Sequence, residues 1–301
     1  MFYHKPALQP TTFCAPGHRG IRPPGQTGVE PAKPLQPVET TAPEVPTSRG
    51  KIRWWDLFFI ALNAYLGLFI VCFVCVLAGS LLYLAMGYGT DVDAFITASF
   101  TNFYFTQIFE AGFCLALLLA TRRMVRKRRG RGSFAGYFRP IGGRRLLYAA
   151  LSGCGAAGVV VLVIAVLWSP VHWHYHRKAA EVIGQPHSLG QLAIWGLIAV
   201  VLAPITEEMF FRGLLLEWFQ QRLARLPAAL ITAAIFALWH FRFLQAPGIA
   251  GWIATTEIGA LGLLCALWAQ RAQSLCAPVA AHAAYNATLT LTLAALLLTM
   301  A

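Results

Sequence analysis

Three short segments in the C-terminal third of the chain carry side chains that could do chemistry in otherwise apolar surroundings. Residues 207–212 hold two adjacent glutamates, Glu207 and Glu208, followed by Arg212. Single histidines follow at His240 and His282. One acidic or basic side chain at the centre of a membrane helix costs about 2.5–3.5 kcal/mol on insertion scales. The sequence therefore predicts a polar site assembled inside a membrane bundle.

The spacing of the charged residues predicts how they pair. Glu208 and Arg212 are four residues apart and share one face of a helix, which predicts a structural ion pair that fixes the helix orientation. Adjacent residues of a helix point about 100° apart. Glu207 is therefore left to face the interior of the bundle.

The two histidines each have a partner at helical spacing. Phe236 lies one turn before His240 and could fix its ring, and Asn286 shares a helix face with His282. A carboxylate and an imidazole that share a water can activate it for attack on a carbonyl group. A second imidazole and an amide N–H are suitable donors to the resulting oxyanion.

Together these groups describe peptide-bond hydrolysis without a serine or cysteine nucleophile. The same residue types could instead hold a divalent metal that lowers the pKa of the water. HExxH is absent and the ligands would come from three separate helices, so the spacing leaves both possibilities open.

The composition predicts the elements that must position this site. The 301-residue chain is 57% apolar, and its mean hydropathy is +0.59. This predicts an all-α, polytopic membrane bundle of about seven transmembrane helices. The helices are expected at 57–88, 95–121, 146–168, 191–226, from Pro227 onward, at 251–270 and at 277–300. Pro204 is expected to kink the fourth helix and free backbone carbonyls, and the end of that helix should project beyond the bilayer.

The net charge of +12 is unevenly distributed. Ten Arg and Lys residues fall within residues 122–145 without an acidic residue among them. A basic loop between two apolar spans follows the positive-inside rule, which predicts a cytoplasmic N-terminus and contact with anionic lipid headgroups. No nucleic-acid-binding motif accompanies the charge, so no nucleic acid partner is expected. The seven scattered cysteines are expected to act as small buried apolar residues.

The three motifs in this order resemble the CPBP family. EExxxR (Glu207, Glu208, Arg212), FxxxH (Phe236, His240) and HxxxN (His282, Asn286) look like those of the Abi-type intramembrane proteases, which include type II CAAX prenyl endopeptidases. The resemblance implies an intramembrane endopeptidase. Glu207 and His240 would activate the water, His282 and Asn286 would stabilise the oxyanion, and Glu208 and Arg212 would support them. A protein or peptide substrate follows: a CAAX-type prenylated protein, a peptide precursor or a membrane protein.

Three parts of the chain are expected on this basis. Residues 1–50 hold ten of the seventeen prolines and should form a disordered cytoplasmic tail. Residues 51–190 should hold the N-terminal membrane helices and the basic loop, and residues 191–301 the CPBP-like catalytic core. The expected location is a bacterial inner membrane, with the site in the inner leaflet and open to the cytoplasm.

Several alternatives remain open in the sequence. Glu207, His240 and His282 could bind a divalent metal, with zinc favoured. A non-catalytic scaffold or bacteriocin self-immunity protein of the same fold is the main functional alternative, and a proton-coupled transporter is a third. Glu110 and Glu257 are interpreted as interior protonated or hydrogen-bonded residues rather than cavity residues. The imidazoles of residues 172, 174 and 176 are assigned to an interfacial aromatic belt.

Overall fold

The structure is a computed structural model that describes residues 52–86, 103–130, 133–167, 186, 188–240 and 249–300. Within these ranges every regular element is helical, and six helices are long and apolar enough to cross a membrane. A seventh apolar helix is shorter. The predicted polytopic helical bundle is therefore confirmed. The expected disordered tail and the histidine-rich segment 172–176 lie outside the described residues.

Seven helices follow one another along the described chain, with a short 3-10 turn at Ala135–Tyr137 between the second and third. Their bounds are α1 Trp54–Ala85, α2 Phe103–Arg129, α3 Gly143–Leu167, α4 Leu189–Gln220, α5 Arg225–Trp239, α6 Ile249–Ala272 and α7 Cys276–Met300.

Helix α5 differs from the expected full span. It has 15 residues, which at 1.5 Å per residue makes about 22 Å and falls short of a hydrocarbon core of about 30 Å. It begins at Arg225, so the fourth helix ends at Gln220 rather than near residue 226. Pro227 lies in the first turn of α5, where the missing N–H of proline removes no helical hydrogen bond.

Helix α4 contains two π-helical stretches, Ile198–Leu202 and Met209–Leu215, on either side of an α-helical turn that carries the two glutamates. The N–H of Ala203 bonds to the carbonyl of Ile198, five residues back. In that register the carbonyl of Ala199 would be paired with residue 204, which is a proline and has no N–H. The proline therefore leaves the Ala199 carbonyl open to another donor.

Two large apolar clusters and a smaller third one, which joins α4, α5 and α6, hold the described part of the bundle together. The first joins α1, α2, α4 and α5, with Leu117, Phe211 and Phe236 among its fully buried members. The second joins α3, α6 and α7 and is made largely of small residues such as Ala157 and Ala281. Small residues allow helices to approach closely where lipid supplies no hydrophobic driving force.

Ion pairs fasten the ends of α1, α2 and α4 that lie next to the basic loop. Arg128 contacts Asp56 at 2.7 Å, and Arg129 contacts Glu217 at 2.6 Å. Tyr137 of the 3-10 turn hydrogen-bonds to both Arg129 and Glu217. Two of the basic side chains that the sequence assigns to lipid contact therefore have protein partners, whereas other basic side chains near the end of α2, such as Arg122 and Arg123, are exposed.

Gly153 marks the closest approach of α3 to α7. A Cβ at this position would overlap the carbonyl oxygen of Ala281 and lie 2.8 Å from its carbonyl carbon. We expect Gly153→Ala to lower the free energy of unfolding by about 1–3 kcal/mol because the two backbones must separate. Gly155→Ala is the matched control on the same helix. A Cβ there meets nothing within 4 Å, and the change should stabilise the helix by about 0.5–1 kcal/mol. Equal stability of the two variants in detergent would contradict the prediction.

Candidate active site

A cavity of about 290 Å³ lies between α2, α4, α5, α6 and α7. Its walls include five of the seven residues that the motifs single out: Glu207, Phe236, His240, His282 and Asn286. The other two, Glu208 and Arg212, are not among its lining residues and lie fully buried in the bundle. The three motifs are thus brought together around one polar space.

Glu207 occupies the centre of this arrangement. Its Oε2 lies 3.7 Å from Nε2 of His240 and 3.9 Å from Nε2 of His282. The oxygen is buried and has no hydrogen-bond partner among the described residues. Both separations exceed a hydrogen-bond length. A group placed between these atoms could contact all three side chains.

The end of α5 fixes the ring of His240. The backbone N–H of His240 bonds to the carbonyl of Ala237, which leaves the carbonyl of Phe236 for the imidazole, and Nδ1 lies 2.8 Å from it. A carbonyl oxygen can only accept, so Nδ1 carries the proton and Nε2 faces Glu207. The Phe236 ring packs edge-on against the imidazole with centroids 4.7 Å apart. The helix terminus therefore sets both the tautomer and the direction of this side chain.

His282 is held by the expected ion pair. Oε1 of Glu208 lies 2.8 Å from Nδ1 of His282 and 3.0 Å from Nη1 of Arg212. A carboxylate oxygen accepts both bonds, so Nδ1 of His282 carries a proton and Nε2 points toward Glu207. Arg212 also donates to the carbonyl of Gly262 at 2.8 Å and stacks over Phe236 at 4.2 Å. The pair thus connects four helices and orients one of the imidazoles of the cavity.

Gly262 is a positioning residue that the sequence motifs do not indicate. A Cβ there would lie 3.0 Å from the ring of Phe236 and 3.3 Å from Nη2 of Arg212. The residue must stay small to let Arg212 reach its carbonyl. The only sequence signal was a glycine inside an apolar span, which is too common to indicate a particular partner.

Asn286 is anchored by the irregular part of α4. Its Nδ2 donates to the carbonyl of Ala199 at 2.6 Å, the carbonyl that Pro204 leaves without a helical partner. A carboxamide nitrogen has two N–H groups. One is used to hold the side chain, and the second remains available to a ligand in the cavity.

Two further glutamates, Glu110 from α2 and Glu257 from α6, also line the cavity. The sequence favoured an interior role for them over a place in the cavity, and the structure places both on the cavity wall. Their partner helices could not be inferred from sequence spacing. Oε1 of Glu257 is buried without a hydrogen-bond partner among the described residues.

Two sets of side chains could hold a metal ion. The donor atoms of Glu208, Cys265 and His282 lie within 4.8 Å of one another, and Cys265 was not among the expected ligands. The Arg212 guanidinium already contacts Glu208, and Sγ of Cys265 lies 3.6 Å from the carbonyl oxygen of Pro278. A cation at that place would meet a fixed positive charge.

The expected set of Glu207, His240 and His282 fits a metal better on donor chemistry, although its donor atoms do not all lie within 4.8 Å of one another as those of the first set do. Both imidazoles give Nδ1–H to an oxygen acceptor and turn Nε2 toward Glu207. This support of the outer nitrogen by a carboxylate or carbonyl is the usual arrangement of metal-ligating histidines. The buried, partnerless oxygen of Glu207 supplies the third donor.

Comparison with known families bears on the segment that contains all of these residues. Residues 188–288 match the family model of type II CAAX prenyl endopeptidases, Rce1-like. The match confirms the resemblance to CPBP proteases that the three motifs predict. At the family level it supports an intramembrane endopeptidase. It covers about a third of the chain, and α1–α3 lie outside it. No curated protein and no solved structure matches the chain.

Proposed function

We propose that the protein is an intramembrane endopeptidase that hydrolyses a peptide bond with a water activated by Glu207 and His240. The observation that carries the proposal is the buried, partnerless oxygen of Glu207, faced by two imidazole nitrogens at 3.7 and 3.9 Å. A carboxylate in this setting has an acceptor site to offer, and it could accept a hydrogen bond from a water held between it and His240. Residues 191–301 form the proposed catalytic core.

Each cavity residue has a part in the proposed reaction. Glu207 accepts a proton from the water as its oxygen attacks the substrate carbonyl carbon, and His240 orients that water through Nε2. The oxyanion is stabilised by the second N–H of Asn286 and by Nε2 of His282. Glu207 then returns the proton to the amine that leaves when the C–N bond breaks.

The protonation state of His282 separates two versions of the mechanism. Nδ1 of His282 already carries a proton toward Glu208, so Nε2 can donate only when the ring is an imidazolium. As a neutral ring it presents a lone pair at Nε2, which suits a metal ligand. A zinc ion held by Glu207, His240 and His282 would supply a bound water of lowered pKa and an electrophile.

The proposed substrates are proteins or peptides that reach the site within a membrane: a CAAX-type prenylated protein, a peptide precursor or a membrane protein. We place the protein in a bacterial inner membrane with its N-terminus in the cytoplasm. On that topology the exposed basic side chains near the end of α2 would contact anionic lipid headgroups.

Comparing membrane proteomes tests the proposed function before any substrate has been identified. Cells that carry the wild-type chain should contain a cleaved product whose precursor accumulates when Glu207→Ala replaces it. The purified wild-type protein in lipid vesicles should then cleave that precursor. Identical proteomes at matched membrane expression would count against the proposal.

Removal of metal distinguishes the two versions of the mechanism. In the zinc version, where two imidazoles and a carboxylate hold the ion, chelation should lower activity by at least about tenfold and added zinc should restore it. The measurement is cleavage by purified protein before and after chelation, with metal content determined by elemental analysis. Full activity in a metal-free sample would exclude the zinc version and leave the imidazolium version.

A further inference from the structure

The proposed mechanism leaves one wall of the cavity unused. Glu257 of α6 and Tyr285 of α7 both line the cavity, and neither has a part in the activation of water. Tyr285 is only 6% exposed, and its hydroxyl has no hydrogen-bond partner in the part of the chain that the structure describes. Oε1 of Glu257 is buried and has no partner there. Buried polar groups are normally paired, so this wall offers two groups to which a ligand could bind.

The charges around the polar cavity indicate the charge of a ligand that would bind at this wall. Two carboxylates line it that each have a buried oxygen without a hydrogen-bond partner among the described residues, Glu207 and Glu257. No lysine or arginine occurs among the described lining residues of the cavity. The nearby guanidinium of Arg212 lies outside the cavity and is paired with Glu208. Like charges repel strongly in low-dielectric surroundings. A cation would be attracted to these carboxylates, whereas a substrate carboxylate would be repelled by them.

The shape next to these groups suits a long side chain with a charged end. Glu257, Leu261 and Tyr285 also line a second, largely apolar cavity of about 540 Å³ between α3 and α6. Glu257 and Tyr285 therefore lie between the apolar cavity and the polar cavity. Lysine and arginine lay an aliphatic stem along apolar surface and end in a cation.

We propose that Glu257 and Tyr285 form a subsite for a lysine or arginine side chain of the substrate, within a few residues of the scissile bond. The carboxylate and the phenol oxygen accept hydrogen bonds from the cation, and the apolar wall contacts its stem. The proposal rests on the proposed function, because it concerns the same cavity.

Matched peptides test the subsite in the full-length protein reconstituted in lipid vesicles. A fluorogenic peptide derived from an identified substrate is made with lysine, arginine, glutamine or glutamate at each position near the cleaved bond. We expect one position at which lysine or arginine raises kcat/KM by about tenfold over glutamine, mainly through a lower KM, with glutamate the poorest. Glu257→Gln should abolish this preference, and Tyr285→Phe, which removes only the hydroxyl, should reduce it.

Asp56→Asn is the matched control, since it removes a carboxylate on α1 that is not among the cavity's lining residues. It should keep the preference in full. Binding of the same peptides to the Glu207→Ala protein supplies a second measurement that needs no cleavage. If Glu257→Gln does not fold, the preference of the wild-type chain and its change in Tyr285→Phe still decide the question.

The outcomes separate this inference from the proposed function. Cleavage that depends on Glu207 but shows no preference for a cation at any position overturns the subsite and leaves the endopeptidase in place. Cleavage that survives Glu207→Ala overturns the proposed function, and binding then decides the subsite alone. A preference that Glu257→Gln and Asp56→Asn change equally also overturns the subsite.

Discussion

Replacing Glu207 with glutamine should lower kcat/KM by about 10²–10⁴-fold, the usual contribution of a general base. Glutamine keeps the size and the polar character of the side chain, and it loses the ability to take a proton from water. The loss should appear mainly in kcat, because the substrate contacts formed by the rest of the cavity remain. The measurement is the initial rate of cleavage of an identified substrate by purified protein in vesicles.

Glu217→Gln is the control for this experiment. It also replaces a glutamate of α4 with glutamine. Glu217 contacts Arg129 near the end of α4 and is not among the lining residues of the cavity. Its activity should stay within a few-fold of wild type. Unchanged cleavage by the Glu207 variant would exclude the proposed base. A cellular phenotype that survives alanine at Glu207, His240, His282 and Asn286 together would favour the non-catalytic scaffold instead.

Breaking the Glu208–Arg212 pair should have the largest effect on stability. Both side chains are fully buried, so Glu208→Leu leaves an uncompensated guanidinium in the bundle and should cost about 3–5 kcal/mol of unfolding free energy. Adding Arg212→Met removes the stranded charge and should recover most of that loss. Unfolding in mixed micelles, followed by helix content, measures both variants.

Activity should not recover with stability in the double variant. Nδ1 of His282 loses its carboxylate acceptor when Glu208 is replaced, so the ring is no longer held with Nε2 toward Glu207. We expect a folded protein with activity reduced by about 10–100-fold, as for loss of other groups that orient a catalytic histidine or a metal ligand. Wild-type activity in a stable double variant would show that the pair serves stability alone.

Much of the bundle could be predicted because transmembrane helices leave local signals in the sequence. Length and hydropathy located the membrane helices, and the interval of four residues between Glu208 and Arg212 led to their ion pair. The boundary between α4 and α5 was less predictable. The sequence around residues 221–226 is compatible with a helix that projects from the bilayer. In the structure the helix ends at Gln220, and a turn that ends in the extended Ala224 separates it from α5.

The sequence by itself determined which residue types lie one helical turn apart, and so which side chains share a face. Only the tertiary structure decided which faces meet. Examples are the contact of His282 with Glu208 across 74 residues and of Asn286 with Ala199 across 87. Spacing along the chain has a period set by backbone hydrogen bonds, whereas contacts between helices depend on packing over the whole bundle. For that reason the sequence indicated no partner for Glu257 or Gly262. In the structure Glu257 lines the cavity, and Gly262 contacts Arg212 and Phe236.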